Sequence, residues 1–160
     1  MPSPIRVLFL CTGNSCRSQM AEGILRHLGG ERFEVCSAGS HPAGYVHPLA
    51  VEAMRDAGID ISGQQSKSWD EVAERWFDLV ITLCDSAAAE ECPNWPGGPV
   101  TAHWSLPDPV GARGTDAERL TFCRAVAGRL AAKIGQLIAS PLEEMTTDQI
   151  STHVRWIAGL

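Results

Sequence analysis

The residues best equipped for chemistry are Cys11-Thr12-Gly13-Asn14-Ser15-Cys16-Arg17-Ser18, a run in which a thiol and a guanidinium stand six positions apart. The run follows the apolar stretch Val7-Leu8-Phe9-Leu10 and precedes Met20, Ile24 and Leu28, which recur at helical spacing. A loop that leads from a buried strand to a helix N-terminus can converge its N–H groups on a ligand, and the helix dipole there favours negative charge. Gly13 is expected to permit the loop's conformation and a close approach by the ligand. Arg17 can close the loop and fork onto two oxygens of an anion. The predicted ligand is therefore a tetrahedral oxyanion, held by residues Thr12 to Ser18. The same field bears on Cys11. A thiol beside an arginine at a helix N-terminus shifts toward thiolate, and a hydrogen bond from Ser18 would add to the shift. Cys11 is the expected nucleophile. Cys16 has no evident activator and is expected to pack inside the loop.

The elements that must position this loop can be read from periodicity. Residues 4–10 form a nearly continuous apolar run, as in a parallel strand buried on both faces. Residues 33–38, 78–83 and 100–106 read as three further strands. Helices are expected from Ser18 to Leu28, from His47 to Ala57, over a shorter stretch from Ser68 to Trp76, and from about 116 to 138. Thr115-Asp116-Ala117-Glu118 has the capping-box pattern that opens the last of these, and Thr146-Thr147-Asp148-Gln149 repeats the pattern in the tail. Alternating strands and helices predict an α/β fold. Its sheet would be doubly wound, four-stranded and parallel, with helices on both faces. Residues 1–139 are expected to form that domain, and residues 140–160 a C-terminal helical extension docked on it.

Apolar residues make up 44% of the 160 and charged residues 20%, the composition of a folded globular domain. The net charge is −6, with no basic cluster fit to track a phosphate backbone, so nucleic acid is not an expected partner. The apolar run near Met1 is too short for a signal-peptide core or a membrane span, and a cytoplasmic, unexported protein is expected. Six cysteines are too few to staple a scaffold of this size and are read as thiols in a reducing compartment. Cys36 and Cys123 lie on apolar faces and are expected in the core. No cofactor motif is present. Cys84, Cys92 and His103 fit no common zinc spacing and lack a fourth ligand.

Residues 7–18, together with Met20-Ala21-Glu22, Ser37-Ala38-Gly39, Gly58-Ile59-Asp60-Ile61-Ser62 and Thr82-Leu83-Cys84, resemble the low-molecular-weight protein tyrosine phosphatase fold family. Within it the resemblance is nearer to the arsenate reductases recharged by thioredoxin, and it spans about residues 5–138. It implies that Asp108, in Asp108-Pro109, is a general acid protonating the departing oxygen. It also implies a polar network of Asn14, Glu22 and Ser37 that braces the loop and in some relatives binds potassium. This chain has Ser66-Lys67 where those relatives carry an Asp after the Ser, so the Lys67 ammonium is expected in the cation's place.

Phosphatases and reductases of this family share the loop, and the distinction falls on Cys84 and Cys92. A hydrolase needs no such thiols, whereas a two-electron reduction needs a source of electrons. The mechanism implied by the resemblance is a relay in which Cys11 attacks arsenic, Cys84 attacks Cys11, and Cys92 attacks Cys84. The resulting Cys84–Cys92 disulfide is the one thioredoxin would reduce. The Asp85-to-Glu91 stretch, rich in small and acidic residues, suits a segment that rearranges so that the two thiols meet. Val110 follows the Asp-Pro pair, where the tyrosine phosphatases carry an aromatic residue, which weighs against phosphotyrosine. The expected activity is arsenate reduction. A phosphatase acting on aryl phosphates and a non-enzymatic oxyanion or redox sensor stand as alternatives.

Overall fold

β1 (Ile5–Leu10) is the hub of the sheet. From Val7 onward it is fully buried, so it needs partners on both edges and cover on both faces. It pairs in parallel with β2 (Phe33–Ala38) on one edge and with β3 (Leu79–Thr82) on the other. β4 (Val100–His103) adds in parallel beyond β3, giving a four-stranded sheet of order β2-β1-β3-β4. The computed structural model describes residues 3–85 and 93–160. In this order the chain leaves β1 toward one edge and later returns to the other. The loops after β1 and β3 therefore diverge at a topological switch point, where open α/β sheets bind ligands.

The two faces follow from strand alternation. Val7, Phe9, Leu79 and Ile81 point into the larger core, against α1 (Arg17–Gly29), α2 (Pro48–Asp56), α3 (Asp116–Ile138) and α4 (Thr147–Ala158). Leu8, Leu10 and Val80 point the other way, against Val72 in the short 3-10 helix Trp69–Val72, Phe77 and Trp95. The helix starts have the chemistry read for them. Thr115 Oγ1 accepts the Glu118 N–H at 3.2 Å while the Glu118 carboxylate accepts the Thr115 N–H at 3.3 Å. Thr146 and Gln149 make the same exchange. His47 Nδ1 accepts the Leu49 N–H at 3.1 Å, ahead of Pro48 at the first helical position. Among the described residues no helix is long and apolar enough to cross a membrane.

Two elements are shorter than their periodicity predicts. The Ser68–Trp76 helix is only the 3-10 turn Trp69–Val72, because Val72 is its one buried residue and Trp76 is 60% exposed. Without an apolar stripe, further helical turns have nothing to pack on. The fourth strand ends at His103 rather than Leu106, since its partner β3 ends at Thr82. Beyond that point Trp104 N–H still reaches the Thr82 carbonyl and Leu106 N–H the Leu83 carbonyl, but the ladder has opened toward the loops.

The tail is fastened by cations on carbonyls. Buried Lys133 of α3 donates to the carbonyls of Ile157, Ala158 and Leu160 at 3.1, 3.1 and 2.9 Å. Arg32 donates to the Ile138 carbonyl at 2.6 Å and to both carboxylate oxygens of Glu143. The Trp104 indole, fully buried, donates to the Val154 carbonyl at 2.9 Å.

Candidate active site

The loop after β1 is held open by its surroundings. The carbonyls of Thr12, Gly13 and Ser15 face outward and accept the N–H groups of His41, Ala43 and His47, at 2.8 to 2.9 Å. The Asn14 carbonyl accepts Gln19 Nε2 at 3.0 Å. With its carbonyls engaged outside, the loop is free to turn N–H groups inward, the arrangement an oxyanion requires. The residue in the left-handed region is Asn14, with φ 45°, not Gly13. A side chain at Gly13 would meet only ordinary contact, with Ser15 Oγ at 3.6 Å. Asparagine tolerates this backbone, and its buried side chain is fully used. Nδ2 donates to Ser18 Oγ and Ser37 Oγ at 2.8 and 3.0 Å, and Oδ1 accepts the Lys67 N–H at 2.9 Å. The tight backbone packing against the loop falls at Gly39. A Cβ there would lie 2.4 Å from the Thr12 carbonyl and 2.6 Å from that of Cys11.

The charge beside this network also differs from expectation. Glu22 Oε1 accepts Ser37 Oγ at 2.7 Å and Oε2 accepts Arg26 Nη2 at 2.7 Å. Lys67 Nζ instead donates to the Gln65 carbonyl at 3.3 Å. The cation on Glu22 is thus the Arg26 guanidinium, one helical turn along α1. With Glu22 and Asn14 Oδ1 both occupied by protein donors, these residues do not fit a bound potassium ion.

Two thiols from the two diverging loops meet at the switch point. Cys11 and Cys84 are both buried and form a cluster of their own. The Thr12 N–H donates to Cys84 Sγ at 3.2 Å, and Thr12 Oγ1 lies 3.3 Å from the same sulfur. The hydrogen bond with Cys84 and burial push the Cys11 thiol up, against the opposing pull of Arg17 and the Gly13 N–H. This direction is opposite to the expected shift toward thiolate, because Cys84 and burial outweigh Arg17 in this arrangement. Ser18 Oγ accepts from Asn14 and has no bond to Cys11 among the described contacts. Cys16 turns away from the loop, its Sγ 3.8 Å from Cys123 Sγ between α1 and α3. That hydrogen bond and burial push the Cys16 thiol up, so only its backbone is available to an anion.

Arg17 lies across the mouth. Its Nη1 donates to the Leu106 carbonyl at 2.9 Å, and its Nη2 lies 3.7 Å from Asp108 Oδ1. Its Nε is buried with no hydrogen-bond partner. A buried guanidinium N–H without an acceptor is costly, and an anion in the loop would satisfy it. Asp108 is half exposed, its Oδ1 accepting the Val110 N–H at 3.0 Å. Cys92 lies outside the described residues. Among those described, no three His, Cys, Asp or Glu side chains gather in a way that would hold a metal ion. Asp85, His103 and Ser105, given no role from sequence, form a hydrogen-bonded group beside Cys84. The adjacency of Asp85 to Cys84 was the one signal available for it.

Residues 6–149 match the family model described as low molecular weight phosphotyrosine protein phosphatase. An arsenate reductase of Halalkalibacterium halodurans is 45% identical over 128 residues, 80% of this chain and 91% of that protein. A solved structure of an arsenate reductase in its oxidized state superposes with TM-score 0.71 at 36% identity, covering 84% of this chain and 96% of that one. The thioredoxin-dependent arsenate reductase of Corynebacterium glutamicum superposes with TM-score 0.62 at 33% identity, over 86% of this chain and 64% of that one.

Proposed function

The chain belongs to the low molecular weight phosphotyrosine protein phosphatase family, and from that premise we propose that it is an arsenate reductase of the thioredoxin-dependent kind. The observation that carries the choice is the meeting of Cys11 and Cys84 under the Thr12 N–H. Hydrolysis of a phosphate ester has no use for a second thiol against the nucleophile. Reduction of arsenate needs two electrons, and a second thiol beside Cys11 is placed to supply them with it.

Arsenate enters the loop from Thr12 to Ser18 and takes up the free Arg17 Nε. Cys11 gives up its proton to solvent as its sulfur attacks arsenic, and a proton from Asp108 goes to the departing hydroxyl, which leaves as water. Cys84 likewise gives up its proton as its sulfur attacks Cys11 sulfur. The sulfur–arsenic bond breaks with its electron pair moving to arsenic, so arsenic(V) becomes arsenic(III) and two thiols become the Cys11–Cys84 disulfide. Cys92 attacks Cys84 and releases Cys11, leaving Cys84–Cys92 for thioredoxin to reduce. A reducing, cytoplasmic setting belongs to this reading, since the relay thiols must return to the reduced state after each turnover.

The test is arsenite formation by the intact chain with thioredoxin, thioredoxin reductase and NADPH. Wild type is expected to turn over many times, and Cys84→Ser and Cys92→Ser are expected to abolish turnover while still binding phosphate. A single-turnover limit in wild type would favour a sensor. Arsenate turnover that survives in Cys84→Ser, or robust release of phosphate from aryl phosphates with no arsenite formed, would overturn the relay.

A further inference from the structure

The geometry points to His103 as a positioning residue for Cys84, one that fixes the turn after β3 so that the thiol meets Cys11 and the Thr12 N–H. This rests on the reading of Cys84 as the second thiol of the relay. His103 stands opposite Thr82 in the β3–β4 register, at the end of both strands. Its Nδ1 lies 2.7 Å from Thr82 Oγ1, two residues before Cys84. Its Nε2 lies 2.8 Å from Asp85 Oδ1, the residue directly after Cys84. Ser105 Oγ donates to the same carboxylate oxygen at 2.9 Å. One imidazole thus spans the turn that carries the thiol, tied to the chain on either side of it.

The Nε2 proton follows from its partner. An ionised carboxylate only accepts, so Nε2 donates to Asp85, while Nδ1 meets Thr82 Oγ1, whose hydroxyl also donates to the Ala102 carbonyl at 3.4 Å. The hydrogen bonds from His103 and then Ser105 hold the Asp85 carboxyl below its ordinary range, so it stays ionised at neutral pH. A lone exposed contact of this kind contributes little. Here the carboxylate also takes Ser105, and the ring also takes Thr82, so four groups must move together for the turn to move. A cysteine has a single side-chain torsion, so its sulfur goes where its backbone is held. A displacement on the order of 1 Å is enough to slow thiol attack about a hundredfold. Among the described residues, Cys11, Arg17 and Asp108 also stand at this sheet edge, and Arg17 acts on Asp85 electrostatically, the last of the influences on its carboxyl.

The experiment measures closure of the Cys11–Cys84 disulfide by peptide mass spectrometry, in full-length reduced protein carrying Cys92→Ser so that closure stops at that bond. Two oxidants are used in parallel: arsenate, and the diazene diamide, which takes two electrons and two protons from a thiol pair without using the anion loop. Expected with diamide is at least about tenfold slower closure in His103→Ala than in the parent, and closure within about threefold of the parent in His103→Gln, which keeps an amide donor for Asp85. Phosphate binding, and the urea midpoint that reports a general loss of structure, are expected to stay close to the parent in both variants. Parental closure rates in His103→Ala, or a His103→Gln as slow as His103→Ala, would overturn the role of His103. If the parent closes with diamide but never with arsenate, the reductase reading fails while the comparison of His103 variants stands.

Discussion

Cys84 bears on Cys11 before any substrate arrives. The hydrogen bond with Cys84 is the largest influence raising the Cys11 thiol, ahead of burial, while Arg17 and the Gly13 N–H oppose it. Cys84→Ala removes that first influence and the charge interaction with Cys84, and leaves both lowering influences in place. The sign is therefore downward: the midpoint of Cys11 alkylation by iodoacetamide should move to lower pH in Cys84→Ala, as read from the Cys11 peptide across a pH series. An unchanged or raised midpoint would show that burial alone sets the titration. The proposed nucleophile could be singled out in sequence because the Cys-x5-Arg spacing is local. The influence of Cys84 on its thiol could not, because that residue lies more than seventy positions away.

At the scale of elements, α1 supplies more than a dipole. Glu22 and Arg26 lie one turn apart on it, and Arg26 also reaches Gln64 Oε1 at 2.8 Å, tying the helix to the segment before Lys67. The network of Glu22, Ser37 and Asn14 that braces the loop thus contains its own positive charge. Replacing potassium with sodium at constant ionic strength is expected to leave phosphate binding and arsenate turnover within about twofold. A strong requirement for potassium would show that Arg26 does not serve as the network's cation. The resemblance placed Lys67 here. An i, i+4 pair such as Glu22–Arg26 is ordinarily a solvated surface pair, whereas Glu22 is only 4% exposed.

For the molecule as a whole, the tail is the region where local reading and tertiary structure meet. The capping pattern at Thr146 announced α4, but its seat depends on Lys133, which sequence reading assigned no role. Lys133 is fully buried and satisfies three carbonyls at the end of α4. Lys133→Met keeps most of the volume and leaves those carbonyls without a donor. The expected cost is about 2–4 kcal/mol of unfolding free energy in urea titration. A loss near zero would mean that water replaces the ammonium at that helix end. The tail also bears on the site through the Trp104 indole bond to Val154, since Trp104 follows His103 directly.

By itself the sequence determined the strands, the long helices, their caps and the oxyanion loop. All of these rest on contacts within a few residues: alternation, helical period, capping exchange and the Cys-x5-Arg spacing. It also marked Cys84 and Asp108, through resemblance and their places at strand ends. Only the tertiary structure decided which groups face one another at the switch point. It set Cys84 against Cys11, Arg26 rather than Lys67 on Glu22, Gly39 against the loop carbonyls, and His103 across the Cys84 turn. Those pairings join residues 4 to 73 positions apart, and most depend on strand order and register, which no local pattern encodes.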